Sequence, residues 1–287
     1  MQENRQTSYF IDSSSCIACG ICQKECPAHC IKEENGALKI LNDRCIECGH
    51  CGAVCPQGAI SCNEEVLTEA EAHDISPEAA FSLIAGKRSV RSYKSKPLPA
   101  DVLEKILETG AMTGTASNSR DVRAHVYSGT AAVQLRRDLC LRLWDFVNRL
   151  NNPVGRTIAR LAGEGKYSNP KVLSAFARNL LDGAEGDGDP LFFHAPTVMV
   201  LSYPKSNKRF GRTNTVLAGQ SMMLYAHALG IESCMIGFAE MGAKGKKGKK
   251  ILGIDKKREV GLIFTLGYGT PKYFRLPKRR SILDSDQ

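Results

Sequence analysis

Cysteine spacing is the first feature of this 287-residue chain that could do chemistry. The run Cys16-Ile-Ala-Cys-Gly-Ile-Cys-Gln-Lys-Glu-Cys-Pro27 recurs as Cys45-Ile-Glu-Cys-Gly-His-Cys-Gly-Ala-Val-Cys-Pro56, each cysteine of the second copy lying 29 residues after its counterpart. Three thiolates this close in sequence wrap a cubane cluster, whereas tetrahedral zinc usually draws on two close pairs separated by a longer loop. Eight soft ligands in this order indicate two [4Fe-4S] clusters. Zinc and disulfides are the alternatives, and the spacing departs far from zinc patterns. Gly20 and Gly49 ease the tight curvature around a metal, and Pro27 and Pro56 turn the chain away. Cys30 and Cys62 fall outside both runs and read as small packed thiols rather than ligands.

The segment of about residues 7 to 65 resembles a bacterial-type two-cluster ferredoxin, with short strands expected at Ser8–Ile11 and Leu38–Leu41. In such ferredoxins the fourth cysteine of each run ligates the other cluster. The resemblance therefore implies one cluster on Cys16, Cys19, Cys22 and Cys55 and a second on Cys45, Cys48, Cys51 and Cys26. Cubane clusters pass single electrons, so this part reads as a wire with the chemistry downstream. Cluster thiolates need a reducing interior, from which a cytoplasmic location is expected.

Composition divides the chain in the same place. Residues 1–65 carry 5 Lys+Arg against 9 Asp+Glu, a net of −4, so with the whole chain at a formal +9 the remainder carries +13. Ten of the 12 cysteines lie between Cys16 and Cys62. The expected organisation is a cluster domain over 1–65, a linker over 66–75 and a second domain over 76–287. No apolar run approaches the roughly 18 residues needed to cross a bilayer, and the first ten residues lack the apolar run of a cleaved secretory signal. No membrane and no nucleic-acid partner is expected. The run Lys244–Lys250 has no interleaved aromatics for base stacking and reads as the solvated start of a short helix.

From Ser76-Pro77, an N-cap followed by a proline at the first helical position, helix and strand patterns alternate. Helices are expected at 100–109 and 214–229, and strands at 124–128, 197–201, 233–236 and 259–266. That is an α+β pattern, with no G-x-G-x-x-G to support a dinucleotide fold. Gly86-Lys-Arg-Ser-Val-Arg-Ser-Tyr93 collects three cations and a hydroxyl just after a helix, a donor set suited to a phosphate monoester. A solvated basic helix end is the plainer reading of the same residues. His227 reads as a packed histidine, and no Ser-His-Asp order or His-x-x-x-His pair points to hydrolysis or zinc.

Arg88–Tyr93, the turn Thr115–Ser119, His194–Val198, Ala226–Gly237 and Leu266–Tyr268 occur in the order seen in the nitroreductase family of FMN proteins, which this chain resembles over roughly residues 76 to 282. The resemblance implies a nitroreductase-like FMN-binding α+β domain. Lys87, Arg88, Ser89 and Arg91 would hold the FMN phosphate and ribityl chain, joined by Lys278 and Arg280, with Arg275 in reserve. Asn118 would bond the isoalloxazine edge, and the backbone of Ile236 and Gly237 would face the ring near N5, the expected reacting centre. It also implies a homodimer with flavin contacts from both chains, and a variable helical cap over about 130–193, including Arg156, Arg160, Lys166, Tyr167 and a Gly/Asp-rich loop from Gly183 to Pro190. Where the family often continues its asparagine with Gln-Pro-Trp, this chain has Arg120-Asp-Val122, so the flavin edge is expected to differ.

The function expected is electron flow from two [4Fe-4S] clusters to FMN and on to a small electron-poor molecule such as a nitroaromatic, quinone, enone or imine. An electron-donor protein or reductase is the expected partner. The alternatives are the reverse current, with NAD(P)H or substrate reducing FMN, and a non-catalytic redox sensor or carrier.

Overall fold

In the computed structural model, residues 8–63, 74–155, 157, 169–280 and 282 are described. The expected linker over 66–73 and Arg156, Arg160, Lys166 and Tyr167 lie outside them. The chain divides into two compact units, one comprising residues up to Asp74 together with Thr115–Ser119, the other Ile75–Gly114 and everything from Arg120 on. Grouping of residues 115–119 with the first unit has no sign in composition.

The first unit is built on two antiparallel hairpin-like pairs. Strand β1 (Tyr9–Ile11) pairs with β4 (Ile60–Cys62), and β2 (Ile31–Glu34) with β3 (Ala37–Ile40). Two short helices, α1 (Ile21–Glu25) and α2 (His50–Ala53), start at the matching glycines Gly20 and Gly49, whose φ of 71° and 75° lies in the left-handed region open to glycine. Tyr9, Cys22, Cys26, Cys30, Ile31 and Ile60 are its buried centre.

The second unit centres on an antiparallel sheet in the order β5 (Arg123–Ser128), β6 (Thr197–Pro204), β8 (Arg258–Gly267), β7 (Glu232–Met235). Burial along β6 is continuous over its first six residues because both faces are covered. Val198 and Val200 point into one core with helices α5 (Thr130–Leu150), α6 (Pro170–Glu185) and α8 (Gly237–Ala243); Met199 and Leu201 point into the other with α4 (Ala100–Ala111) and α7 (Gly211–Ala228). The period of two in the strand thus supplies both layers. Helices α5 and α6, both within the expected cap, therefore build one face of the core: Leu135, Leu139, Leu143 and Val147 recur at helical spacing and are buried. The Gly/Asp stretch is shorter as a loop than expected, since α6 runs to Glu185; a Cβ at Gly183 would lie 2.6 Å from Pro190 and 2.8 Å from Cys140, a close approach only glycine permits.

Helix α3 (Pro77–Gly86) begins as the sequence indicates, with Ser76 accepting from the Ala79 N–H at 3.1 Å and Pro77 in its first turn. Beyond its end the chain runs beside β7: Ser89 bridges Ser233, and the Val90 N–H donates to the Ser233 carbonyl at 3.1 Å. Tyr93 locks this crossing, its buried hydroxyl donating to the Val90 carbonyl at 2.7 Å and lying 2.8 Å from Thr265 Oγ1. Tyr93→Phe leaves both groups short of a partner and is expected to lower stability by about 1–3 kcal/mol. Urea unfolding would check it, an unchanged midpoint being the contrary result.

Among the described residues no helix is long and apolar enough to cross a membrane.

Candidate functional site

Two cavities in the first unit collect the cysteines across the repeat. Cys16, Cys19 and Cys22 share one with Cys55, and Cys45, Cys48 and Cys51 share the other with Cys26. The first three of each set come from one loop and its following helix; the fourth comes from the other run because the two copies are wound against each other. All twelve cysteines are free thiols. No group of three His, Cys, Asp or Glu side chains among the described residues converges as a single ion requires. A cube spreads its four thiolates over four metal corners, so four cysteines around a small cavity suit a cluster better than zinc.

Burial sets the acid–base chemistry of these thiols. It raises Cys22 and pushes Cys51 up to about 11. In Cys26 burial acts the same way, but it is outweighed by backbone N–H donors, Cys30 foremost, and the thiol falls below its ordinary value. Cys30 is itself pushed up to about 12, by burial first and then by its contact with Cys26. Its Sγ lies 3.4 Å from Cys26 Sγ.

In the second unit the cationic stretch lies where the sequence places it, and β7 lies beside it. Lys87 and Arg88 are half-buried; Ser89 and Arg91 are exposed. Arg88 donates to the Ala85 and Lys87 carbonyls at 2.6 and 2.8 Å, closing off the end of α3; Arg91 makes a long 3.4 Å bond to the Ser89 carbonyl, and the Arg91 and Ser89 side chains also reach the Cys234 thiol. Burial draws the Lys87 ammonium below its ordinary pKa, opposed by the attraction of Cys234 and Glu232, and its Nζ has no hydrogen-bond partner among the described residues. A half-buried ammonium without an acceptor, beside Arg88, Ser89 and Arg91, is a donor set that a phosphate would complete.

At the other end of β7, the Ile236 N–H is already spent on the Ile263 carbonyl at 2.8 Å, which leaves Gly237 as the donor of that pair. A side chain at Gly237 would meet nothing within 4 Å, so the backbone there is open to a flat ligand. Lys278 and Arg280 are exposed and make no hydrogen bond or ion pair with the Lys87–Arg91 stretch. Asn118 groups with the first unit, where its Nδ2 donates to the carbonyls of Ile46 at 3.0 Å and Glu47 at 2.7 Å.

Two groups near these sites carry no sequence signal. His227 Nδ1 lies 3.2 Å from Glu232 Oε1, and its ring packs on Gly86, where a Cβ would sit 3.2 Å from Nε2. Lys249, within the basic run, is only 4% exposed: its Nζ donates to the Lys256 and Arg258 carbonyls and to Glu259. The rest of that run is helix α9 (Gly245–Ile251), longer than the start expected, with Lys246, Lys247 and Lys250 exposed.

The second unit is thus an antiparallel sheet covered by helices on both faces with a cationic stretch beside β7, and it follows a cysteine-rich unit along the chain. Residues 84–268 match the family model described as the nitroreductase family, and residues 15–60 match the 4Fe-4S dicluster domain. The chain belongs to the nitroreductase family of FMN-type oxidoreductases and carries an N-terminal 4Fe-4S domain. Among solved structures, it is similar to a nitroreductase with bound FMN from Bacteroides fragilis NCTC 9343, at 22% identity over 72% of this chain and 96% of that one, with a TM-score of 0.50. A nitroreductase with bound FMN from Desulfitobacterium hafniense DCB-2 is 17% identical over 72% and 95%, with a TM-score of 0.52. The FMN and NADPH-dependent nitroreductase NfnB from sphigopyxis sp. strain HMH is 16% identical over 71% and 97%, also at 0.52. At these identities the likeness is one of fold. No curated protein matches the chain.

Proposed function

We propose that this chain holds two [4Fe-4S] clusters and FMN, and passes electrons from the clusters through the flavin to a small electron-poor organic substrate. When bound, the clusters supply single electrons and FMN supplies hydride equivalents at N5. The observation that carries the reading is the grouping of the eight cysteines into two sets of four around separate cavities, in a chain of the nitroreductase family.

Cys16, Cys19, Cys22 and Cys55 would hold one cluster, and Cys26, Cys45, Cys48 and Cys51 the other. Each must give up its proton to bind iron, so binding releases protons and weakens on acidification. Lys87, Arg88, Ser89 and Arg91 would bind the phosphate, Lys87 gaining the acceptor it lacks. The Gly237 N–H would orient the reacting edge of the ring, while Ile236 shapes the backbone that presents it. Lys278 and Arg280 would reach the phosphate from the second chain of a homodimer. The amide donors of Asn118 are engaged on the first unit, so the flavin reading does not depend on them.

Rapid anaerobic mixing tests the direction. Dithionite-reduced protein is expected to reoxidise on adding a nitroaromatic, with both chromophores recovering. Faster bleaching by NADH than by a reduced ferredoxin would indicate the reverse current, and inertness toward every acceptor would leave only a sensor or carrier.

A further inference from the structure

The internal repeat supplies its own comparison, because every group around one cysteine set has a counterpart 29 residues away around the other. Some features match. Gly20 and Gly49 both lie in the left-handed region. Ala18 and Glu47, between the first two cysteines of each run, also share a positive φ, 50° and 55°. The backbone N–H of Cys30 faces Cys26 Sγ at 3.4 Å, and that of its counterpart Ala59 faces Cys55 Sγ at 3.3 Å.

Three features do not match. The Glu47 N–H donates to Cys45 Sγ at 3.4 Å, whereas the Ala18 N–H makes no such bond to Cys16. Asn118 Nδ2 donates to the Ile46 carbonyl at 3.0 Å and the Glu47 carbonyl at 2.7 Å, while the carbonyls of Ile17 and Ala18 receive no hydrogen bond among the described residues. Cys30 sets a thiol 3.4 Å from Cys26 Sγ; the repeat has only the methyl of Ala59 there. All three fall on the same side, around Cys26, Cys45, Cys48 and Cys51.

We infer that Asn118 and Cys30 make the two cluster sites inequivalent and hold the site of Cys26, Cys45, Cys48 and Cys51 at the higher reduction potential. Asn118 is a positioning residue. Its two bonds fix the peptides on either side of Glu47, and so aim the Glu47 N–H at Cys45 Sγ. Cys30 acts directly, its S–H donating to Cys26 once that sulfur is a thiolate. Each couple takes up one electron and no proton, so the reduced cluster is the more negative state, and donors on its sulfurs stabilise that state more than the oxidised one. Electrons entering the first unit would therefore collect on this second set. The inference rests on the two-cluster reading above.

The test is a potentiometric titration of the anaerobically reconstituted full chain, followed by electron paramagnetic resonance, with iron and flavin content measured on every sample. Wild type is expected to show two one-electron couples. Cys48→Ala, which removes a ligand of the second set, should leave only the more negative couple. Asn118→Ala and Cys30→Ala should each move the higher couple to more negative potential and leave the lower one in place, and Cys30→Ser, which keeps a donor, should restore it. Potentials unchanged in both alanine variants, or both couples moving together, would overturn the inference, as would Cys48→Ala retaining the higher couple. Should the Asn118 variant fail to take up iron, the Cys30 pair decides alone. A wild-type chain that binds fewer than two clusters defeats the two-cluster reading itself, and the inference with it.

Discussion

Cys19→Ala is expected to leave the chain with one cluster in place of two. Cys19 is the exposed member of the set around Cys55, and among the described residues no fifth cysteine lines that cavity. Cys30 lies at the other cavity, against Cys26, and cannot substitute. Iron analysis should fall from about eight to about four atoms per chain. The flavin, held by residues of the second unit, should remain at wild-type occupancy. Turnover driven by a reduced ferredoxin should slow, while reduction of a nitroaromatic by chemically reduced flavin should not. Retention of full iron content would show that Cys19 is no ligand, and loss of flavin along with iron would show that the two units do not hold their cofactors separately.

The second large effect is expected in the flavin. Arg88→Ala removes one charge-assisted donor from the phosphate set, a loss of about 1.5–3 kcal/mol, or roughly 10- to 100-fold in the FMN Kd. The structure adds a complication, since the same guanidinium closes the end of α3 through the Ala85 and Lys87 carbonyls. Two measurements separate the roles. The melting temperature without flavin reports the helix end, and equilibrium dialysis reports the phosphate. Lys87→Met gives an independent reading, because its Nζ makes no hydrogen bond among the described residues. Both variants should weaken FMN retention while leaving iron content unchanged. Tight flavin in both would place the phosphate elsewhere.

These outcomes bear on how the two redox parts divide their work. In the proposed reading, the cysteine unit would take its donors from backbone N–H groups and thiols, which bring no net charge, and the flavin stretch would use full cations because a phosphate arrives as nearly a dianion. The net −4 of residues 1–65 against the excess of cations beyond follows that division.

Much of this was legible in the residues. Cysteine runs speak for themselves because the ligands of one cluster corner set lie within a few residues of one another, so spacing alone limits which metal group they can reach. Helices α3 and α4 and strand β6 were equally readable, since caps and apolar periods are local properties. Boundaries shifted by a residue or a few, as with β6 running on to Pro204 and α7 starting at Gly211, because strand pairing and helix packing extend an element past its apolar core.

What the residues alone could not decide is who meets whom across long separations. Nothing near Lys249 in sequence marks it as the one buried lysine of a basic run; three acceptors folded over it do. Asn118 looks like a flavin contact by its neighbours, yet its amide serves carbonyls 71 and 72 residues earlier. His227 meets Glu232 only because α7 ends and turns back into β7. The type of metal chemistry is a property of short-range spacing and was settled by the chain itself. The two copies share their cysteine runs and differ at Cys30 against Ala59 in the sequence itself, but the Asn118 amide at the Ile46 and Glu47 carbonyls comes from 72 and 71 residues away, and only the tertiary structure could bring it there.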